Sequence, residues 1–258
     1  MALTKKQINK IEETIKNSLL TKLKKYKPET NSMPFHYRLL GKDRMALFSF
    51  IHSLNTTFGT SIFEPVAETI AKLTFKSAET QFFIGDQISE KALLEIQKII
   101  NELSQGKGPN KPDAIERIRN VSNSGKTVKI KTVKVDLMVK GKDDFVHLFD
   151  LKTVKPNKSN FKDFKRTLLE WIGLYLFIYP NANVNSYLAI PYNPYEPNPY
   201  ERWTMKGMID IDNELKVAEE FWDFLGGKGA YEELLKCFER VGIELRPEID
   251  KYFRKFRS

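Results

Sequence analysis

The chain has 258 residues, of which 41% are hydrophobic, and this fraction fits a folded globular protein and excludes a disordered one. Its 42 Lys and Arg residues against 33 Asp and Glu residues give a net charge of +9, which favours a polyanionic partner such as nucleic acid. Cys237 is the only cysteine, so the sequence excludes an intramolecular disulfide and a cysteine-based zinc site.

The histidines and the apolar segments limit the class of protein further. His36, His52 and His147 are scattered and show none of the spacings typical of metal ligands. The N-terminal segment lacks the apolar stretch of a signal peptide, and no apolar run approaches the roughly 20 residues of a membrane-spanning helix. We therefore expect a cytoplasmic protein without a membrane partner.

Helices are predicted through most of the N-terminal part of the chain. Apolar residues recur at helical spacing over residues 8–23 among lysines, which predicts an amphipathic first helix. Ser89 is the expected N-cap of a later helix, and Gly106 is its expected terminator. The helices that follow the first one are predicted over about 43–54, from 59 onward and over 90–103.

The central part of the chain predicts a β-hairpin. Two β-rich runs, 133–139 and 146–152, flank a short charged turn that contains Gly141. The whole order of elements predicts a mixed α/β (α+β) fold in which a small mixed sheet is flanked by helices. After the hairpin we predict a helix over about 161–178, a strand over 184–191, a Pro- and Tyr-rich loop over 192–200, a short β run over 203–209, and helices over about 214–225, 230–241 and 247–256.

Two acidic residues and one lysine lie on the faces of this hairpin. Asp136 projects from the face opposite the apolar residues of the first run, and Asp150 and Lys152, two positions apart, share one face of the second. Two carboxylates suit a hard divalent cation, which activates water against a phosphodiester. Lys152 can position that water or offset the charge that builds on the phosphate. The pattern is typical of a metal-dependent nuclease, and the alternative is a solvated Asp-x-Lys pair on a strand face.

A third carboxylate is expected from the helix that follows Gly59. Glu64 and Glu68 are four positions apart and therefore lie on one face of that helix. Glu64 is the first choice for a supporting metal ligand and Glu68 is the second. The alternative for Glu64 is electrostatic stabilisation of the helix N-terminus. Asp113, which follows Pro112, is a weaker candidate than Asp136 because it lies in a loop before a helix.

Residues 59–64, Asp136 and the Asp150-Leu151-Lys152 triplet followed by a long helix resemble the PD-(D/E)xK nuclease superfamily. The predicted order of helix, strand, strand, helix and strand is similar to the αβββαβ core of that superfamily. One departure is that Val135, and not proline, precedes Asp136. The resemblance implies one restriction-endonuclease-like domain over 1–258, with a catalytic core at about 59–192 and helical additions at both ends.

The amino-acid sequence over residues 149–157 and 165–171 is similar to that of type II restriction endonucleases of the TdeIII type. This resemblance implies cleavage of both strands of a short DNA site, a homodimer, and Mg²⁺ as cofactor with Mn²⁺ as a substitute. It implies that Asp136, Asp150 and the Leu151 backbone carbonyl bind the metal, with Glu64 as a further catalytic residue. It also implies the target GGNCC and a cognate DNA methyltransferase as a genetic, not physical, partner.

Candidate DNA contacts follow the second strand of the hairpin. Lys155, Asn157, Lys165 and Arg166 are expected near phosphates, although a solvated basic face is the alternative. The 192–202 loop, which carries Glu196, Glu201 and Arg202, and the basic C-terminal helix are candidate sites of base recognition. Arg and Lys donate to guanine, and Glu and Asp accept from cytosine.

Two other functions remain open from the sequence. A structure-selective nuclease, such as a Holliday-junction resolvase, would use the same core and metal. A non-catalytic DNA-binding protein would explain the basic charge, but it would not explain two carboxylates that converge on one face. The long helical segments at both ends favour the restriction enzyme.

Overall fold

The computed structural model describes residues 3–27, 33–152, 160–202 and 205–255, without the side chains of 55–57. No helix among these residues is both long enough and apolar enough to span a membrane. The helices are α1 (Lys5–Lys25), α2 (Pro34–Leu40), α3 (Lys42–Phe58), α4 (Glu64–Thr74), α5 (Glu90–Ser104), α6 (Lys111–Val121), α7 (Phe161–Ile178), α8 (Ile211–Glu214), α9 (Glu219–Gly226), α10 (Ala230–Glu244) and α11 (Arg246–Arg254). The strands are β1 (Ser77–Phe82), β2 (Gln87–Ser89), β3 (Thr127–Lys129), β4 (Val135–Lys140), β5 (Val146–Leu151), β6 (Val184–Ile190) and β7 (Leu215–Val217).

A five-stranded mixed sheet has the strand order β1-β4-β5-β6-β7. β4 pairs antiparallel with both β1 and β5, whereas β5-β6 and β6-β7 pair parallel. The parallel β5-β6 pair requires a crossover, and α7 supplies it. Along the chain, α4, β1, β4, β5, α7 and β6 follow the αβββαβ order. The predicted fold class and the predicted hairpin are therefore confirmed.

Two layers of helices cover the two faces of the sheet. Helices α1, α4, α9 and α10 pack on one face, against Leu137, Phe149 and Leu151. Helices α5, α6 and α7 pack on the other, against Val146 and Leu148. The apolar residues alternate along β4 because successive side chains of a strand point to opposite faces. This arrangement leaves the polar ends of β4 and β5 beside the start of α4.

The helix expected to start at Gly59 does not start there. The backbone remains helical from α3 through a π-helical turn at Gly59–Phe63 and into α4. Glu64 is the first residue of α4 and directly follows this turn. Single π-turns inserted in α-helices occur often at functional sites. The turn changes the direction in which the side chains of α4 project relative to α3.

The region after the 192–200 loop also differs from the expectation. Residues 205–208 form turns and not the predicted β run, whose first two residues lie outside the described part of the chain. The helix expected over 214–225 begins only at Glu219, because β7 pairs with β6. Ala218, with φ of 47°, separates β7 from α9. Burial of Leu215 and Val217 in the sheet outweighs the local helical pattern here.

Candidate active site

The strand register aligns three polar residues across β1, β4 and β5. Leu137 of β4 pairs with Phe149 of β5 in the antiparallel ladder. Continuing this register by one residue sets Asp136 opposite Asp150. The register between β1 and β4 likewise sets Gln81 opposite Asp136. Directly opposed residues of antiparallel strands point to the same face, so the sheet itself brings the two aspartates together.

Asp136 is fixed by the backbone of the neighbouring strand. Its Oδ2 accepts a 2.8 Å hydrogen bond from the backbone N–H of Leu151. The next N–H, that of Lys152, donates to the Ala189 carbonyl on the other side of β5, at 2.9 Å. Because the N–H and C=O of one strand residue point to the same side, the Leu151 carbonyl faces the edge where Asp136 lies. Two carboxylates and one backbone carbonyl thus meet at this edge.

Lys152 lies between a carboxylate and an aromatic ring. Its ammonium forms an ion pair with Asp150, which is only 3% exposed. The same ammonium lies 5.2 Å from the centroid of the Phe164 ring on α7, which is a cation–π distance. The Lys152 side chain remains 31% exposed. The lysine is therefore held in place at one end of the site and still reaches the surface.

The electrostatics of this cluster favour a bound cation. The pKa of Asp136 is raised to about 7, mainly by burial and also by the negative charges of Asp150 and Glu64, against the opposing effects of Lys152 and the Leu151 hydrogen bond. Burial also raises the pKa of Glu64, while the Gln81 hydrogen bond and the Lys152 charge lower it. Desolvated carboxylates that repel one another are stabilised by positive charge.

Glu64 lies at the margin of the carboxylate pair, on α4. It is 3% exposed, and its Oε2 accepts a 2.8 Å hydrogen bond from the Gln81 side-chain amide. Gln81 has φ of 53°, a left-handed conformation that non-glycine residues rarely adopt. In the β1-β4 ladder, Thr80 pairs with Leu137 and Phe82 pairs with Val135. Gln81 and Asp136 lie between these two pairs and are not themselves paired. The ladder is therefore interrupted where the polar residues lie.

The donor set fits a magnesium-type ion with few protein ligands. Among the described residues, no group of three or more His, Cys, Asp or Glu side chains has the geometry of a metal site. Asp136, Asp150 and the Leu151 carbonyl provide oxygen ligands only. Mg²⁺ is usually bound by one or two carboxylates and keeps several waters, so this set is sufficient. Glu64 acts on the pair through its charge.

The remaining candidate carboxylates lie elsewhere. Glu68 forms a 2.8 Å ion pair with Lys72 on the same helix. Asp113 lies in the first turn of α6, is half exposed and forms an ion pair with Arg117 at 3.6 Å. Of the acidic side chains that the sequence offered as third ligands, the structure therefore brings Glu64, and not Glu68, next to the two aspartates.

The expectation that Lys165 contacts DNA phosphate is wrong. Lys165 is 1% exposed, and its ammonium donates to Glu214 at 2.6 Å. Glu214 also pairs with the buried Lys111 at 2.8 Å, and Lys111 donates to Ser186 at 2.7 Å. Helical periodicity turns Lys165 toward the core with Phe161 and Leu168, where buried charges must be paired. This lysine belongs to an internal ion-pair network.

Two other predicted DNA contacts lie at the surface. The Arg166 side chain is 33% exposed and donates to Gln97 at 2.6 Å. Arg202 is 32% exposed and pairs with Glu220 at 2.8 Å. Both guanidiniums are accessible to a phosphate or a base. Lys155 and Asn157 lie in residues 153–159, outside the described part of the chain.

Sequence reasoning missed Gln81 and Phe164 as parts of the site. β1 was not predicted, because its exposed and half-buried positions give only a weak alternation. No local pattern signals that Gln81 adopts a positive φ or reaches Glu64. Phe164 lies within the helix predicted over about 161–178, but its contact with Lys152 depends on how α7 crosses the sheet.

Comparisons with known proteins find type II restriction enzymes. A family model described as type II restriction endonuclease, HinfI, matches residues 3–242. Type II restriction enzyme HgiCII of Herpetosiphon aurantiacus is 28% identical over 225 residues, which cover 84% of this chain and 80% of that protein. Type II restriction enzyme MjaII of Methanocaldococcus jannaschii is 29% identical over 293 aligned residues, which cover 98% of this chain and 74% of that protein.

Proposed function

The chain belongs to the HinfI family of type II restriction endonucleases, and from this premise we propose that it cuts both strands of a short DNA site with a divalent cation bound at Asp136 and Asp150. That it is a site-specific deoxyribonuclease follows from the family. We propose in addition the metal, the roles of the residues, the target sequence and the assembly. The narrower TdeIII assignment stays a prediction.

The proposal assigns one role to each residue of the cluster. Asp136, Asp150 and the Leu151 carbonyl hold Mg²⁺, for which Mn²⁺ can substitute. A cation at such a site acts as a Lewis acid and lowers the pKa of a bound water. Lys152 positions the attacking water and offsets negative charge on the phosphate. Glu64, oriented by Gln81, supports the site through its charge and through water.

One observation carries this proposal. Asp136 and Asp150 lie opposite each other in the register of β4 and β5, and Lys152 is paired with Asp150 beside them. A sheet face without function has no reason to bring a buried and a half-buried carboxylate together, because their repulsion and desolvation destabilise the fold. Burial of this kind is typical of sites that bind a cation or perform catalysis.

The direct test is cleavage of plasmid DNA of known sequence. We expect cleavage in Mg²⁺ or Mn²⁺ and none in EDTA. Sequencing of the ends of the fragments then identifies the site, for which GGNCC is the first candidate. Metal-independent cleavage would contradict the metal proposal, and ends at another fixed sequence would contradict only GGNCC. Nicks at unrelated sequences would favour a structure-selective nuclease, and DNA binding without cleavage would favour a non-catalytic protein.

We further propose a two-fold dimer on the DNA. One site per chain cuts one strand at a time, so two subunits related by a two-fold axis place one site on each strand of a palindrome. Arg166 and Arg202 are the described candidates for DNA contact, and loss of a phosphate contact should reduce the salt dependence of binding. A host that makes such an enzyme needs a cognate DNA methyltransferase to protect its own sites.

Binding measurements on two variants can distinguish a phosphate contact by Arg166 from base recognition by Arg202. We expect Arg166→Ala, close to the catalytic strand, to weaken binding on all sequences and to lower the slope of log affinity against log salt by about 1. Arg202→Ala, if its guanidinium reads a base, instead lowers the preference for the cognate site. An unchanged salt slope for Arg166→Ala would contradict a phosphate contact, and unchanged sequence preference for Arg202→Ala would contradict base recognition.

A further inference from the structure

Helices α2 and α3, which pack against each other, expose several large apolar side chains. Phe35 and Leu39 of α2 are 85% and 82% exposed, and they lie four positions apart on one side of the helix. Leu47, Phe48 and Ile51 of α3 are about half exposed. We call these five residues the α2–α3 patch. The opposite side of α3 is buried through Met45, Ala46 and Phe50. The helix therefore carries large apolar side chains on both sides, whereas a helix at a solvated surface usually has a polar outer side.

α2 buries little of its surface within one copy of the chain. It has seven residues, and none of them is buried. Helices shorter than about 12 residues are marginal in water and depend on the packing of an apolar face. The apolar face of α2 includes Phe35 and Leu39, which are both more than four-fifths exposed. A second surface that covers this face would supply the missing packing.

The size of the α2–α3 patch suits a protein partner. Fully burying a large side chain removes roughly 150–250 Å² of surface, so the exposed fractions of these five side chains correspond to on the order of 600 Å². A standard protein–protein interface buries about 800 Å² on each partner. Met33 and Leu40, at the edge of the patch, are each more than 40% exposed and bring the area closer to that value. Isolated monomers seldom expose so much contiguous apolar surface.

We propose that the α2–α3 patch is the interface between two copies of this chain. An isologous interface needs a single self-complementary patch, and this proposal rests on the proposed function, which requires two catalytic sites for two strands. α3 continues through the π-helical turn into α4, so Ile51 precedes Glu64 by 13 residues on one helical rod. That separation corresponds to about 20 Å. A two-fold axis at the patch therefore places two catalytic sites within reach of one short stretch of duplex.

Sedimentation of suitable variants without DNA tests the location of the interface. We expect wild type to sediment as a dimer and Leu39→Lys with Phe48→Lys as a monomer, with the dissociation constant raised at least 100-fold. Circular dichroism should change by no more than the loss of the seven residues of α2, because neither substituted side chain is buried. Leu94→Lys is the matched control, since Leu94 is 57% exposed on α5, outside the patch, and it should remain a dimer. A dimeric double variant, or a wild type that is monomeric with and without uncleaved DNA, would overturn the proposal.

Cross-linking keeps the test decisive if the lysine variants fail to fold. Cys237 is buried, so a single introduced thiol is the reactive one. With a short bis-maleimide linker, which adds one thiol to each end as a thioether, Leu39→Cys should form a covalent dimer in most of the protein, and Leu94→Cys should not. No excess of Leu39→Cys dimer over Leu94→Cys dimer would overturn the interface. The interface would also be overturned if the wild-type protein bound anionic vesicles and never self-associated.

Neither experiment requires catalysis, so a failed interface and a failed nuclease proposal remain distinguishable. If the proposed function holds, the double lysine variant should keep metal-dependent nicking at high enzyme concentration. Its double-strand cleavage at low concentration should fall at least tenfold relative to Leu94→Lys. Double-strand cleavage equal to that of the control would show that the patch has no part in the catalytic assembly.

Discussion

Gln81 on β1 donates a 2.8 Å hydrogen bond from its side-chain amide to the Glu64 carboxylate on α4. The bond joins the sheet to the helix at the margin of the aspartate pair. Gln81 makes it from a backbone with φ of 53°, a conformation that costs about 1–3 kcal/mol in a non-glycine residue. Such strain is found preferentially at functional sites, which favours a positioning role for Gln81 toward Glu64.

Removal of the Gln81 amide should therefore lower cleavage more than it lowers stability. We expect Gln81→Ala to reduce the cleavage rate or the metal affinity about 10–100-fold, as loss of an orienting hydrogen bond does at metal sites. Gln81→Gly should be equally slow but more stable than Gln81→Ala by about 1 kcal/mol, because glycine adopts positive φ without strain. Metal titrations of the rate and urea unfolding measure both effects.

Glu79→Ala is the matched control for this prediction, since Glu79 is exposed on the same strand. It should have wild-type kinetics. Equal losses in Gln81→Ala and Glu79→Ala would indicate a general defect of β1 and not a role at Glu64.

Asp150 and Lys152 should be required for cleavage but not for folding. We expect Asp150→Asn to reduce cleavage to background because it removes one of two carboxylate ligands. Lys152→Ala should lower the rate about 10²–10³-fold through loss of electrostatic stabilisation. DNA binding, measured by anisotropy in EDTA, should be unchanged or tighter in Asp150→Asn, because a negative charge is removed. Lys142→Ala, in the exposed hairpin turn, serves as control, and near-wild-type cleavage by either site variant would refute the assignment.

Glu64 and Glu68 should differ strongly although they lie on one helix. Glu64 is buried beside the aspartates, whereas Glu68 is paired with Lys72. We expect Glu64→Gln to lower the cleavage rate strongly and Glu68→Gln to have little effect. The two substitutions are isosteric and serve as each other's control. Single-turnover cleavage measures the ranking, and a reversed order would mean that the supporting carboxylate lies one turn further along α4.

Lys165 should matter for stability and not for DNA binding. Lys165→Met removes one partner of a buried ion-pair network, and such a change costs about 3–5 kcal/mol when the remaining charge is left unpaired. We expect the lower end of that range because Glu214 keeps its bond to Lys111. Lys162→Met, exposed on the same helix, should change the free energy of unfolding by less than about 0.5 kcal/mol. An altered salt slope of DNA binding in Lys165→Met would contradict this interpretation.

His147 should make the protein less stable as the pH falls. Burial, the largest cause, lowers the pKa of His147 to about 4 from 6.5. The unfolded chain therefore binds more protons between these values, and the free energy of unfolding decreases as the pH falls from 6.5 toward 4. The effect is at most about 3 kcal/mol. His147→Gln should lack this part of the pH dependence.

His52→Gln, at an exposed site on α3, should keep the wild-type pH profile. Urea unfolding at pH 7.5 and pH 5 measures the difference. Parallel profiles for wild type and His147→Gln would show that this histidine titrates alike in the folded and unfolded chains.

The sequence by itself determined the elements whose signals are local. The β4-β5 hairpin follows from alternating apolar residues around a charged turn, and α7 follows from helical periodicity that ends before Pro180. The spacing of Asp136, Asp150 and Lys152 could be placed on shared strand faces for the same reason. Side-chain direction in a regular strand or helix depends only on position along the chain.

Only the tertiary structure decided which side chains meet. Whether Lys165 faces DNA or the core depends on what packs against α7, and the buried Glu214 comes from a segment 49 residues away. Gln81 reaches Glu64 because the β1-β4 ladder is interrupted, and the helical pattern over 214–225 yields to pairing of β7 with β6. Contacts between distant segments, burial and backbone strain are properties of the folded chain, since their energies arise from groups that no local pattern brings together.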